Sequence, residues 1–153
     1  MIVIDTDLLA IYHLFTHDPR SSATGTFMEI TRKDARGTTL YNLMELAGIV
    51  AAAGKAPAAR QILETYAGAS DMKVLYPALA LATPELFWTE YCAQVLAVME
   101  RGVRYGDAKI LWVAESNDCS TIITWDTARY RGGTPLSVMT PEEYCAAQES
   151  EDR

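Results

Sequence analysis

The chain has 153 residues, half of them apolar and 22% charged, with a formal net charge of −7. That length and balance fit one domain with a real hydrophobic core and exclude a disordered chain. The acidic excess argues against a protein that coats nucleic acid through phosphate contacts.

From the N-terminus, Ile2–Asp5 is a β-branched run that reads as a buried strand, followed by a helix from Leu8 to Phe15 with Asp7 as its N-cap. His17–Gly25 reads as loop, with a helix over Phe27–Asp34. Gly37–Tyr41 is a short strand or extended entry into a helix over Asn42–Ala53 that Gly54 closes. Pro57 suits the first turn of a helix over 57–67, and Lys73–Tyr76 is a strand stopped by Pro77. Thr83 and Pro84 open a long helix to about Arg101, and Gly106 starts another. Thr121–Thr124 and Leu136–Met139 are further strands, and Thr140–Glu143 caps a last helix.

Strands that alternate with helices predict a three-layer α/β/α domain with a mostly parallel central sheet. It is expected to occupy 1–148, with 149–153 as a solvated tail. The longest apolar runs, Leu46–Gly54 and Tyr76–Pro84, are too short and interrupted to span a bilayer. Asp5 inside the first apolar run, with no basic segment before it, does not read as a signal peptide. Cys92, Cys119 and Cys145 form no C-x-x-C pair and are expected as reduced thiols of a cytoplasmic protein.

Four acids stand at the ends of apolar segments: Asp5, Glu45, Asp107 and Asp126. Ligands of open parallel sheets sit outside the carboxyl ends of the strands, where Asp5 and Asp126 fall. Glu45 lies within one helix and Asp107 at the first turn of another, both able to point to that edge. Four converging carboxylates repel one another unless protons or cations neutralise them. Oxygen ligands of this kind suit Mg²⁺ or Mn²⁺, and such a site serves phosphodiester hydrolysis without a protein nucleophile. Any one of these acids alone is more often a cap, a turn former or a solvated helix residue.

The order of motifs carries more. An apolar run into Asp5-Thr6, a Glu45-Leu46 helix, Gly106-Asp107-Ala108 and Ile122-Ile-Thr-Trp-Asp126 place the acids 40, 62 and 19 residues apart. With the closing Thr140-Pro-Glu-Glu-Tyr, the series resembles the PIN domain, particularly the VapC-type toxins of toxin–antitoxin pairs, over almost the whole chain. The resemblance implies a Mg²⁺- or Mn²⁺-dependent endoribonuclease whose metal-binding set is Asp5, Glu45, Asp107 and Asp126. It also implies hydrogen-bonding support from Thr6 and Thr124, homodimers, and inhibition by a small antitoxin.

Arg101, Arg104 and Lys109 flank Asp107, and Arg129 and Arg131 follow Asp126. They read either as a solvated face or as a basic rim that guides an RNA backbone. Trp125 is expected to pack on the surface rather than stack on a base. His13 and His17, four apart but without further ligands nearby, are expected at the surface rather than on zinc. Two other functions remain open. One is a non-catalytic PIN-like binding module. The other is a D-x-D phosphomonoesterase, although Leu8 and Leu9 stand where that motif continues into a small hydroxyl residue.

Overall fold

The computed structural model describes residues 1–79 and 83–151. Its strands are β1 (Ile2–Ile4), β2 (Arg36–Thr39), β3 (Lys73–Leu75), β4 (Thr121–Ile123) and β5 (Ser137–Met139). All pair in parallel in one sheet of order β3-β2-β1-β4-β5. The helices are α1 (Thr6–His13), α2 (Ser21–Ile30), α3 (Leu40–Ala52), α4 (Ala56–Ala67), α5 (Pro84–Met99), α6 (Tyr105–Ser116) and α7 (Pro141–Glu151).

The short strands work because alternate residues face different layers. Ile2, Ile4 and Ile123 pack with Leu8, Leu9, Phe27, Leu43 and Leu46, from α1 to α3. Val3 and Ile122 face the other way, into Val95, Val98, Ile110 and Leu111 of α5 and α6. Each fully buried Leu or Ile of these two cores contributes about 1.5–3 kcal/mol. The result is the three-layer arrangement expected, with the sheet parallel throughout rather than mostly so. None of the described helices is long and apolar enough to cross a membrane.

Helix starts follow their caps. Thr39 and Asn42 form a reciprocal capping box at α3, and Thr83 accepts the Leu86 amide at α5. Gly54 takes a positive φ of 77° just past α3, a left-handed position that suits glycine.

Several boundaries shift by one or two residues, α3 for one beginning at Leu40 rather than Asn42, and three departures have a clear physical reason. Helix α1 begins at Thr6, because Asp5 and not Asp7 caps it by accepting the Thr6 amide. Helix α2 covers Ser21–Ile30 and ends in a 3₁₀ turn over Thr31–Lys33, where a loop and then a helix over Phe27–Asp34 are expected. Its start lacks an apolar stripe and a side-chain cap. It is fixed instead by distant contacts: buried Thr24 accepts the Trp125 indole N–H, and Phe27 and Met28 fill the core. At its far end the buried Arg36 donates to Met28 O and Thr31 Oγ1 and pairs with Asp71 at 2.8 Å. Helix α7 runs through 149–151, which the sequence suggests as tail, while 152–153 lie outside the described residues.

Candidate active site

The strand order makes the site. The chain moves from β1 to β2 and β3 on one side, then returns to β4 on the other, so the switch point lies between β1 and β4. Crevices form there, at the carboxyl ends of the strands. Asp5 follows β1 directly, and its amide donates to Ile123 O of β4 at 3.0 Å. Its side chain is completely buried.

One Asp5 oxygen is fully engaged. Oδ1 accepts the Thr6 amide and Asn42 Nδ2, each at 2.8 Å. Asn42 is itself locked, because its Oδ1 accepts from Thr39 Oγ1 at 2.6 Å and its Nδ2 also reaches Thr6 Oγ1. Thr6 Oγ1 then donates to Glu45 Oε2 at 2.7 Å. A Cβ on Gly106 would lie 3.8 Å from Glu45 Oε1, so the Glu45 carboxylate sits against the first turn of α6, beside Asp107. Asp107 is also buried and pairs with Arg129.

The other Asp5 oxygen, Oδ2, is buried without a well-formed hydrogen bond, as are Asp7 Oδ1 and the Tyr130 hydroxyl, while Thr124 and Tyr130 both act on the Asp5 carboxylate from close by. Burial raises the Asp5 pKa to about 7, with the nearby Asp7 charge adding and Arg129 opposing. Desolvation raises Asp7 too, against the donors that hold its second oxygen. A buried carboxylate oxygen without a well-formed hydrogen bond, beside other carboxylates, has the chemistry to accept a cation or a proton.

The expected residues therefore fall into distinct roles. Asp5 and Glu45 are joined through Asn42 and Thr6, whereas Asp107 is tied to Asp5 through Arg129, which pairs with the one and acts electrostatically on the other. Asp126 is exposed and borders a shallow depression shared with Asp107, Arg104 and Arg129. A second depression, lined by Thr6, Asp7, Glu45 and Arg129, adjoins the first through that arginine. Thr124 supports Asp7: its Oγ1 donates to Asp7 Oδ2 at 3.0 Å and accepts the Asp126 amide at 3.1 Å.

The basic residues divide. Arg101 forms a two-pronged bridge to Glu115, and Arg131 reaches Glu143. Lys109 lies over the Tyr41 and Tyr105 rings at 4.9 and 4.7 Å. Arg104 and Arg129 face the acids. Trp125 packs on α2 through its bond to Thr24, as expected, and His13 and His17 are exposed, with His13 bonded to Tyr66.

Two residues escape the sequence reading. Asp7 Oδ2 gathers Thr124 Oγ1 and the amides of Trp125 and Asp126, so it fastens the loop after β4. Asn42 orients Asp5. Its position three residues before Glu45 on one helix was the available signal.

The donor set of carboxylate oxygens suits a hard divalent cation. As placed, however, no three acidic, His or Cys side chains among the described residues form a group that holds an ion. Thr6 occupies one Glu45 oxygen and Arg129 occupies Asp107.

No family model and no curated protein matches the sequence. Solved structures do. The Mycobacterium tuberculosis toxin VapC20, described as cleaving the sarcin–ricin loop, superposes with a TM-score of 0.56 at 16% identity, covering 80% of this chain and 87% of that one. VapBC2 of Rickettsia felis, solved bound to a DNA fragment of its promoter, gives 0.59 at 14% identity over 90% and 97%. A toxin–antitoxin complex of Klebsiella pneumoniae gives 0.59 at 17% identity over 92% and 98%.

The fold is that of the VapC-type toxins.

At these identities the likeness concerns the fold. Within a VapC-type fold, the β1/β4 switch point is where this chain's buried acids lie. The PIN-like architecture expected from the motif order thus stands on geometry as well.

Proposed function

We propose that this chain is a Mg²⁺- or Mn²⁺-dependent endoribonuclease, the toxin of a toxin–antitoxin pair, working as a homodimer and restrained by an antitoxin. The observation that carries the reading is Asp5. Its Oδ2 is buried without a well-formed hydrogen bond at the switch point of a VapC-type fold, next to Asp7 and within one hydrogen-bonded network with Glu45. The structural neighbours support the biological half, since they include a toxin described as cleaving the sarcin–ricin loop and a toxin–antitoxin complex.

Asp5, Glu45, Asp107 and Asp126 would hold the cations. Divalent ions there would activate a water, offset the negative charge that develops on the leaving oxygen, and provide the positive potential that a chain of net charge −7 lacks. The protein's own contribution is positioning. Asn42 and the Thr6 amide fix the Asp5 rotamer, Thr6 aims Glu45, and Asp7 holds the loop that carries Asp126. Single-stranded or looped RNA fits the shallow, open depressions better than duplex, whose bases are hidden in a deep groove.

The deciding experiment incubates the purified chain with structured and unstructured RNA, with and without Mn²⁺, beside Asp5→Asn and Asp107→Asn. Cleavage is expected only with Mn²⁺ and is expected to vanish in both variants. Cleavage that persists unchanged in them, in a chain that binds no Mn²⁺ at millimolar concentration, would sink the proposal. Co-expression with the product of a short upstream reading frame tests the antitoxin, and sedimentation tests the dimer.

A further inference from the structure

Asp107 is buried, and its carboxylate is answered from a different element. Arg129 ends the 3₁₀ turn Thr127–Arg129 and donates from Nη2 to Asp107 Oδ1. The two side chains differ sharply in exposure, 34% for Arg129 and 6% for Asp107. The acid is thus fixed in the protein while the cation stands at the water boundary. Arg129 also borders both depressions of the site and acts electrostatically on Asp5. Arg101 and Arg131, by contrast, are committed to Glu115 and Glu143, away from these acids.

A guanidinium at this point neutralises one of the carboxylates that the proposed metal would need. A divalent ion on Asp107 would meet a like charge within a few ångströms, and the repulsion is substantial where water is partly excluded. A residue one-third exposed on a short turn has somewhere to go. Tyr130, whose ring centre lies 5.5 Å from the guanidinium carbon, is buried and so keeps the base of that swing fixed.

We infer that Arg129 is the exchangeable counter-ion of this site: it neutralises Asp107 while no metal is bound and yields that carboxylate when a divalent cation enters. The inference rests on the metal-site reading above. Moved off Asp107, the guanidinium stays beside the depression that Asp126 and Arg104 border, where an RNA phosphate would find a bidentate donor.

The sign of one measurement separates this role from a merely structural one. Were Arg129 only a brace for Asp107, removing it would weaken metal binding. As a competitor, its removal strengthens binding. Mn²⁺ affinity is measured by calorimetry, and melting temperature with and without Mn²⁺, for the wild type, Arg129→Gln and Arg129→Lys.

Arg129→Gln is expected to bind Mn²⁺ more tightly, on the order of tenfold. It should also melt lower than the wild type without metal and gain more from Mn²⁺. Arg129→Lys, with a shorter reach to Asp107, should shift affinity in the same direction by less, and it carries the test if the glutamine variant does not fold. A wild type that binds Mn²⁺ while both variants bind it equally or more weakly overturns the inference alone. A wild type that binds none overturns the metal-site reading and this inference with it.

Discussion

Asn42 Nδ2 lies 2.8 Å from Asp5 Oδ1, joining the start of α3 to the end of β1 at the centre of the acidic site. The oxygen of that side-chain amide, Asn42 Oδ1, accepts from the Thr39 amide and hydroxyl, so one side chain both caps a helix and orients a buried carboxylate. Asn42→Ala should therefore cost about 2–4 kcal/mol, the sum of a lost cap and a lost bond to a buried acid. Asn42→Asp keeps the cap but sets a carboxylate against Asp5. It should be less stable than the wild type at pH 8 and recover part of the loss at pH 5. Urea denaturation at the two pH values decides, and equal stability at pH 8 would show that Asp5 does not depend on this donor.

Asp7 gathers three donors from the segment after β4, each within 3.3 Å of Oδ2. Removing it leaves the Thr124 hydroxyl and two amides without that acceptor, so Asp7→Ala should cost about 2–4 kcal/mol. Local loosening is the sharper signature. Hydrogen exchange at the Trp125 and Asp126 amides should accelerate more than exchange in α5, on the opposite face of the sheet. Uniform acceleration would mean that Asp7 serves global stability alone.

Asp5 gives the fold a pH dependence of definite sign. Burial lifts its pKa from 3.8 to about 7 in the folded chain. The folded state thus holds a proton that the unfolded state has released over that interval. This contribution to stability is full below about pH 4 and is lost as pH rises through about 7. Asp7, also raised and close by, titrates with it as a pair. The metal-free wild type should thus lose stability between pH 5 and 8 through this pair. Asp5→Asn should flatten that slope in thermal melts. A slope unchanged in the variant would place the titration elsewhere.

Gly37 sits where β2 meets β3, paired with Lys73. A Cβ there would come 2.9 Å from the Lys73 carbonyl and 3.2 Å from Leu75 Cγ. Backbone cannot yield as a side chain does, so Gly37→Ala should cost about 1–3 kcal/mol. Gly48 is the control, being exposed within α3 with nothing inside 4 Å of the same added atom. Gly48→Ala should gain about 0.5–1 kcal/mol from helix propensity. Thermal melts of the two variants should move in opposite directions.

What could be read ahead of the fold was whatever a local pattern specifies. The strands at Ile2, Lys73, Thr121 and Leu136 and the helices with capped starts at Thr83 and Thr140 each carry their signal within a few residues. So do the four acids, whose order along the chain suggests one site. Helix α2 carried no such signal. Its start has neither an apolar stripe nor a cap, and contacts with Trp125 and Arg36, far along the chain or beyond its end, fix its limits.

The site divides in the same way. By itself the sequence determined that carboxylates end apolar segments at Asp5, Glu45 and Asp107, since burial beside a strand end or helix start is written in neighbouring residues. Only the tertiary structure decided what each carboxylate meets. Asn42 on Asp5, Thr6 on Glu45, Asp7 on the loop before Asp126 and Arg129 on Asp107 are partners brought from 22 to 119 residues away. Hydrogen bonds and ion pairs act over a few ångströms in space, and separation along the chain does not encode that distance.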